Sequence, residues 1–227
     1  MKHIILAPGL WLDGTAWSNV ETPLRDAGHA VASVTLPGQG LGANTATLQD
    51  QLDAVLAAID SLDAPAVLVG HSAASTLVWL AADRRPERVE RVLMVGGFPA
   101  TGGDEYAAFF DIAEGLMPFP GWEPFAGPDS DDMDDRLKQT VAAGAHPVPE
   151  GVAKGKVEYL DERRRDIPVV LVCPEYSPED AQAWLAEGSM PELVSVRSVS
   201  FANIESGHWP MFTRPAQLAE LIGAAAA

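Results

Sequence analysis

The sequence predicts an α/β fold in which a doubly wound, mostly parallel six-stranded sheet carries a helical lid insertion. Two observations support this prediction. Short apolar runs rich in β-branched residues recur along the chain, as is typical of strands buried on both faces of a sheet. Segments of helical length separate them, and right-handed crossovers then make the sheet parallel. The six runs are 3–7, 30–36, 66–70, 89–95, 167–173 and 194–201.

The helical segments follow these strands in order. The first is expected over 15–27, because Thr15 suits a cap and Gly28 a stop. The other predicted helices are 47–62, 75–82, 178–187 and 214–225, and the turn-forming loops include 8–14 and 37–42. The predicted strand order is 30–36, 3–7, 66–70, 89–95, 168–173, 195–201. Active sites of open α/β sheets lie at the carboxyl ends of the strands, so the loops there are expected to hold the site.

The stretch 66–76, which reads AVLVGHSAAST, predicts a nucleophile elbow. A buried strand turns sharply into a helix, and Ser72 stands at the tip of the turn. Such a strained turn needs small neighbours, which Gly70 and Ala74 supply. The start of the helix also directs backbone N–H groups at the same spot.

A serine hydroxyl needs a base, and a histidine far along the chain can supply one. His208 lies in the stretch 206–211, SGHWPM, just before the last helix. The order serine then histidine fits an α/β arrangement and excludes the chymotrypsin-like and subtilisin-like orders. His71 adjoins the serine, but neighbours on a tight turn point in different directions, so a structural role is expected for it.

Four stretches together carry a resemblance to a known family: 2–9, 27–31, 69–72 and 206–211. The chain resembles the α/β-hydrolase superfamily, and it looks most like the small-lid branch of plant-type methyl esterases, hydroxynitrile lyases and their bacterial relatives. The resemblance implies an oxyanion hole formed by the backbone N–H of Leu10 or Trp11 and that of Ala73. Members of this superfamily often have His-Gly where this chain has Pro8-Gly9. The difference matters little if backbone N–H groups, and not side chains, donate the hydrogen bonds of the oxyanion hole.

The resemblance also implies an acidic partner for the histidine, just after the strand 169–173. Many relatives have aspartate one or two residues beyond position 175, where this chain has tyrosine and serine. Glu175 is the nearest carboxylate, and glutamate serves this role in some hydrolases. Asp180, Glu179 or a carboxylate elsewhere stay open as alternatives. Glu205 is a candidate for a substrate contact or a supporting group.

The residues from 100 to 166 break the strand–helix pattern and are expected to form the lid of a single domain spanning 1–227. Lid aromatics can supply the apolar walls of a substrate pocket, and they can equally pack only the lid's own core. The candidate substrate-binding residues are Phe119, Trp122, Phe125 and Trp209. The acidic run 129–135 is interpreted as a solvated helix start or loop.

Composition narrows the class of protein further. The net charge of −17, from 32 acidic and 15 basic residues, argues against nucleic-acid binding. No leader pattern and no apolar run of about 18 residues is present, so no membrane association and a cytoplasmic location are expected. Cys173 is the only cysteine, which excludes an internal disulfide. The five histidines lack metal-ligand spacing and no GxGxxG follows a strand, so neither a metal nor a cofactor is expected.

Three functional hypotheses follow. The first is a cofactor-free serine hydrolase acting on a small apolar ester or related acyl compound. The second is a non-hydrolytic enzyme of the same fold, a lyase or a biosynthetic enzyme. Trp209 argues against cyanohydrin chemistry because the similar lyases carry lysine there. The third is a small-ligand-binding protein with a degraded triad. A homodimer is left open.

Overall fold

The computed structural model describes residues 1–40 and 44–227, and a six-stranded parallel sheet forms its centre. The strands of the described residues are β1 (His3–Ala7), β2 (Ala30–Ser33), β3 (Ala66–His71), β4 (Val89–Val95), β5 (Leu116–Met117), β6 (Val148–Pro149), β7 (Val169–Cys173) and β8 (Val199–Asn203). The large sheet has the order β2-β1-β3-β4-β7-β8, and β5 pairs with β6 separately. The predicted fold class and strand order are therefore confirmed.

The register of the strands aligns their carboxyl ends at one edge of the sheet. Ala7 of β1 lies opposite Gly70 of β3, and His71 lies opposite Val95 of β4. Val95 in turn lies opposite Val172 of β7. The loops that follow these strands therefore leave the sheet side by side, which is where open α/β sheets place their sites.

Helices cover both faces of the sheet. The α-helices of the described residues are α1 (Ser18–Asp26), α2 (Leu48–Asp60), α3 (Ala74–Arg84), α4 (Asp135–Ala143), α5 (Glu150–Ala153), α6 (Pro178–Ala186), α7 (Pro191–Val194), α8 (Pro210–Thr213) and α9 (Pro215–Ala226). Alternate strand residues point to opposite faces. Ile5 and Leu68 pack in one core with α2 and α3, whereas Ile4 and Val67 pack in a second core with α1 and α9.

Residues 96–168 connect β4 to β7 and include α4, α5 and the pair β5–β6. The sequence predicted no strands there, because two-residue strands are too short to show a periodicity. A buried ion pair fixes the return of this segment to the sheet. Arg164 Nη1 lies 3.2 Å from Asp83 Oδ1 on α3, and Asp83 also accepts the backbone N–H groups of Leu160 and Asp161.

Two strand boundaries differ from the prediction. β8 begins at Val199 rather than at 194, because a helical turn starts at Pro191 and ends at Val194. β2 ends at Ser33 rather than at 36, because Ser33 already lies opposite Leu6, near the end of β1. Within the predicted loop 37–42, positions 41 and 42 lie outside the described residues.

Two further features concern the described part of the chain alone. None of its helices combines the length and the apolar composition that crossing a membrane requires. Nor do residues 1–40 and 44–227 contain a group of three or more His, Cys, Asp or Glu side chains that could hold a metal ion.

Candidate active site

Ser72 stands at the sharp turn between β3 and α3. Its φ of +54° lies in the left-handed region, which a non-glycine residue adopts only when its surroundings enforce it. The Ser72 N–H donates to the Val95 carbonyl at 2.8 Å, and the Ser75 N–H donates to the Ser72 carbonyl at 2.9 Å. The elbow is therefore held from β4 on one side and from α3 on the other.

The turn has room only for small residues beside the serine. A Cβ atom at Gly70 would lie 2.4 Å from the Ala74 carbonyl oxygen, and one at Gly97 would lie 2.6 Å from the Ser72 carbonyl oxygen. Real Cβ atoms do not approach that closely, so both glycines are required for this packing. The expectation that Gly70 makes the elbow possible agrees with this geometry, whereas Gly97 lies in the loop just after β4 and escaped sequence reasoning.

His208 is paired with Glu175. The His208 Nδ1 atom lies 2.7 Å from Glu175 Oε1, and both side chains are only 15% exposed. Glu175 follows β7 and His208 follows β8, so the parallel sheet brings together two residues that are 33 positions apart. A carboxylate at Nδ1 favours the tautomer with the proton on that atom, which leaves Nε2 able to accept a proton.

The alternative carboxylates lie elsewhere. Asp180 forms a capping box at the start of α6 with Ser177, whose Oγ donates to Asp180 Oδ2 at 2.7 Å. Glu179 and Glu205 are exposed. Of the carboxylates that sequence reasoning kept open by number, Glu175 is the one that contacts the histidine.

His71 holds the backbone of His208. Its Nε2 atom lies 2.8 Å from the His208 carbonyl oxygen, so Nε2 carries the proton and donates it. Burial, together with the neighbouring His208 ring, lowers the pKa of His71 to about 3, so the ring is neutral near pH 7. A Cβ at Gly9 would lie 2.6 Å from His71 Nδ1. These contacts agree with the structural role expected for His71.

Three backbone N–H groups belong to residues that line the cavities beside Ser72. Leu10, Trp11 and Ala73 are buried. Across residues 1–40 and 44–227, their N–H groups have no intramolecular acceptor. Trp11 has a φ of +64°, so it too adopts the left-handed conformation, as Ser72 does. Free N–H groups beside a serine can stabilise an oxyanion.

A buried glutamine that sequence reasoning missed braces this loop. The Nε2 atom of Gln39 donates to the carbonyls of Gly9 and Leu12, both at 2.9 Å. Gln51 of α2 donates in turn to Gln39 Oε1 at 3.2 Å. Both glutamines are fully buried. The available sequence signal for Gln51 was a polar residue at helical spacing from Leu48 and Val55, on the apolar face of α2.

Ser72 lies between two apolar cavities. The first, about 280 Å³, is lined by Leu10, Trp11, His71, Ser72, Phe109, Phe110, Phe125, His208 and Trp209. The second, about 320 Å³, is lined by Ser72, Ala73, Thr76, Gly96, Gly97, Phe98, Pro99, Ala100, Tyr106 and Phe109. Neither lining contains a lysine or arginine. A larger cavity of about 420 Å³ lies beside α4 and contains neither Ser72, His208 nor Glu175.

The four candidate wall residues divide into two pairs. Phe125 and Trp209 line the first cavity, as expected. Phe119 and Trp122 line neither cavity and pack behind the wall. Phe119 stacks on Phe125 with ring centroids 6.0 Å apart, and Trp122 meets Trp209 edge-on at 5.1 Å. Their contribution to the pocket is therefore indirect, because they support the rings that line it.

Ser72 and His208 line the same cavity, but in the described chain no hydrogen bond joins the Ser72 hydroxyl to the His208 ring. Catalytic hydrogen bonds are commonly long until a substrate is bound.

The other group that could compete as a nucleophile is Cys173. Burial, together with the nearby Glu175 carboxylate, raises the pKa of its thiol to about 12, so no reactive thiolate is present at neutral pH.

The acidic run 129–135 is partly buried against the site, and its interpretation as merely solvated is incomplete. The Asp129 carbonyl accepts the His208 N–H at 2.8 Å, and Asp132 Oδ2 accepts the Gly207 N–H at 2.9 Å. Burial raises the pKa of the Asp129 carboxyl, the Glu175 carboxylate raises it further, and His208 opposes the shift. Only Asp134, which caps α4, behaves as the predicted helix start.

Comparison with known proteins shows the family to which this chain belongs. Residues 4–221 match the model of the alpha/beta hydrolase family, which covers nearly the whole chain. The chain therefore belongs to that family, and it is an α/β-hydrolase enzyme.

Its curated relatives include esterases of plants. The chain is 24% identical over 253 residues to Methylesterase 1 of Arabidopsis thaliana, with 96% of this chain and 94% of the relative covered. It is 27% identical to Salicylic acid-binding protein 2 of Nicotiana tabacum, again with 96% and 94% covered. Among solved structures, an extracellular α/β-hydrolase from a Paenibacillus species has a TM-score of 0.80 at 20% identity, covering 100% of this chain and 99% of its own. At that identity the structural likeness concerns the fold.

Proposed function

We propose that this enzyme is a cofactor-free serine esterase that hydrolyses small, neutral, apolar esters. Ser72 is the nucleophile, His208 the general base and acid, and Glu175 the carboxylate that orients the histidine. The observation that carries the proposal is the short His208–Glu175 contact in a site whose cavity also contains the strained Ser72 elbow. The mechanism needs no cofactor, because every group in it belongs to the chain.

The reaction runs in two halves. His208 Nε2 takes the proton of the Ser72 hydroxyl as Oγ attacks the ester carbonyl carbon. The negative oxygen of the tetrahedral intermediate binds the free N–H groups of Ala73 and of Leu10 or Trp11, and each such donor contributes about 3 kcal/mol of barrier lowering. His208 then protonates the leaving alcohol, and an acyl group is left on Ser72. Water, deprotonated by His208, then attacks the acyl carbon, and His208 returns the proton to Ser72 Oγ as the bond to serine breaks and the acid leaves.

The linings of the two cavities support an apolar, uncharged substrate. Aromatic and aliphatic side chains dominate both, and the titratable groups in the first are the two histidines. A carboxylate-bearing substrate would find no cationic partner in either lining. The names of several relatives fit this choice, since they are methylesterases and an esterase that hydrolyses carbendazim.

The alternative of a binding protein with a degraded triad was motivated by the unusual sequence after β7. The 2.7 Å contact of Glu175 with His208 removes that motivation. No observation at the site favours a lyase over a hydrolase, and the tryptophan after His208 still argues against cyanohydrin chemistry.

The test is steady-state hydrolysis of 4-nitrophenyl acetate, butyrate and octanoate. We expect Ser72→Ala and His208→Ala each to lower kcat by about 10⁴-fold or more. Ser61→Ala, at the exposed serine just after α2, is the matched control and should keep the wild-type rate. If Ser72→Ala hydrolysed these esters at the wild-type rate, the proposal would be refuted.

A further inference from the structure

The turn formed by residues 129–132, here called the acidic turn, contacts the loop that carries the catalytic histidine. Two successive N–H groups of that loop donate to it: Gly207 to Asp132 Oδ2 at 2.9 Å, and His208 to the Asp129 carbonyl at 2.8 Å. The Asp132 bond joins residues 75 positions apart. A carboxylate acceptor makes it a charge-assisted bond, which is stronger than one between neutral groups.

Close packing accompanies these hydrogen bonds. A Cβ atom at Gly207 would lie 2.3 Å from the Asp129 carbonyl oxygen and 2.5 Å from Asp132 Oδ1. Only glycine allows the acidic turn to approach the backbone of the histidine loop so closely. Gly207 is buried, so water does not separate the two segments.

The acidic turn is itself fixed to the wall of the substrate cavity. Ser130 is fully buried, and its Oγ donates to the Phe125 carbonyl at 2.7 Å. The N–H groups of Ser130 and Asp131 both donate to the Gly127 carbonyl. Because Phe125 lines the cavity beside Ser72, one short segment connects the substrate wall to the histidine loop.

We propose that Asp132 is a positioning residue of the catalytic histidine. Through the Gly207 N–H it fixes the histidine loop, and so it holds the His208 ring between Glu175 and Ser72. This inference rests on the proposed function, in which His208 is the base. A displacement of about 1 Å in such a group can cost about 100-fold in rate, although Asp132 touches neither substrate nor reacting atoms.

The test compares three variants with 4-nitrophenyl butyrate as substrate. Asp132→Ala removes the acceptor and should lower kcat by about 10- to 100-fold with KM within about twofold. Asp132→Asn keeps an amide oxygen that can accept the Gly207 N–H and should recover most of kcat. Asp131→Ala is the matched control, because Asp131 is exposed and its side chain has no hydrogen-bond partner in the described chain.

A proton NMR measurement gives a readout that does not depend on turnover. The Nδ1 proton shared by His208 and Glu175 should give a far-downfield resonance in the wild type, assigned by its loss in His208→Gln. We expect the resonance to broaden or vanish in Asp132→Ala and to persist in Asp132→Asn and Asp131→Ala. Thermal unfolding of each variant shows whether it is folded.

The outcomes separate this inference from the proposed function. A wild type without Ser72-dependent turnover refutes the esterase, and the resonance then still decides whether Asp132 positions His208. Unchanged kcat and an unchanged resonance in Asp132→Ala overturn the inference. The inference is also overturned if kcat is as low in a folded Asp132→Asn protein as in Asp132→Ala, because the asparagine still offers an oxygen that accepts the Gly207 N–H.

Discussion

Replacing Glu175 by glutamine tests the link between geometry and rate most directly. The variant keeps the shape of the side chain and removes the negative charge 2.7 Å from His208 Nδ1. When His208 accepts the serine proton it becomes an imidazolium facing this carboxylate. Two unit charges about 4 Å apart attract by about 4 kcal/mol at an effective dielectric constant of about 20. At about 1.4 kcal/mol per tenfold change, the loss is about 10³-fold in kcat.

A second effect increases this loss. The glutamine amide can donate to Nδ1 and so favour the tautomer with the proton on Nε2, which cannot act as the base. In chymotrypsin-like proteases the corresponding aspartate-to-asparagine change lowers kcat by about 10⁴-fold, partly for this reason. We therefore expect a decrease of about 10³- to 10⁴-fold in kcat for Glu175→Gln, with KM nearly unchanged.

The assay is steady-state hydrolysis of 4-nitrophenyl butyrate, with Glu179→Gln as the matched control. Glu179 lies four residues further along and is exposed, so its replacement should leave kcat within about twofold. If Glu175→Gln retained more than about a tenth of the wild-type kcat, the carboxylate would not support the histidine, and the assigned acid would be wrong.

Two further predictions concern stability. The folded protein keeps His71 neutral down to pH of about 3, whereas the unfolded chain protonates it below about 6.5, so acidification favours unfolding in this window. Between pH 6.5 and about 3, protonation of His71 in the unfolded chain lowers the free energy of unfolding by about 1.4 kcal/mol per pH unit, and above pH 6.5 this effect is absent. Urea unfolding of His71→Gln at several pH values should lack this component. If the free energy of unfolding fell equally steeply with pH in both proteins, the burial argument would be contradicted. Arg164→Ala removes one of the two arginines that pair with the buried Asp83 carboxylate and leaves it with Arg84 alone, so it should cost about 3 kcal/mol in urea unfolding. Arg163→Ala, which removes the exposed ion pair with Asp161, should cost less than about 1 kcal/mol. Equal losses of stability in the two variants would refute the claim that the buried pair matters more than the exposed one.

The parts of this molecule that sequence reasoning predicted depend on local patterns. Buried parallel strands appear as short apolar runs separated by helical segments, so the number of strands and the parallel sheet followed from this pattern. The elbow and the histidine loop are short motifs, and the structure brings Ser72 and His208 to one cavity. Glu175 was selected because it is the carboxylate nearest to the end of β7.

The parts that were missed depend on contacts between distant segments. Nothing near Asp132 in the chain indicates that its carboxylate meets Gly207, and nothing near Gln39 indicates that its amide braces the loop after β1. The wall aromatics show the same difficulty. Phe119 and Phe125 are six positions apart in similar surroundings, yet only Phe125 reaches the cavity, because the path of an irregular segment decides which ring points inward.

The central claim is that Ser72 is an activated nucleophile, and intact-mass analysis after exposure to a fluorophosphonate probe tests it without knowledge of the substrate. The serine oxygen forms a bond to phosphorus as fluoride leaves, which adds one probe residue to the protein. The account predicts a single adduct on the wild type, none on Ser72→Ala, and slower labelling of Glu175→Gln. An unlabelled wild type, or an adduct that persists in Ser72→Ala, would contradict it.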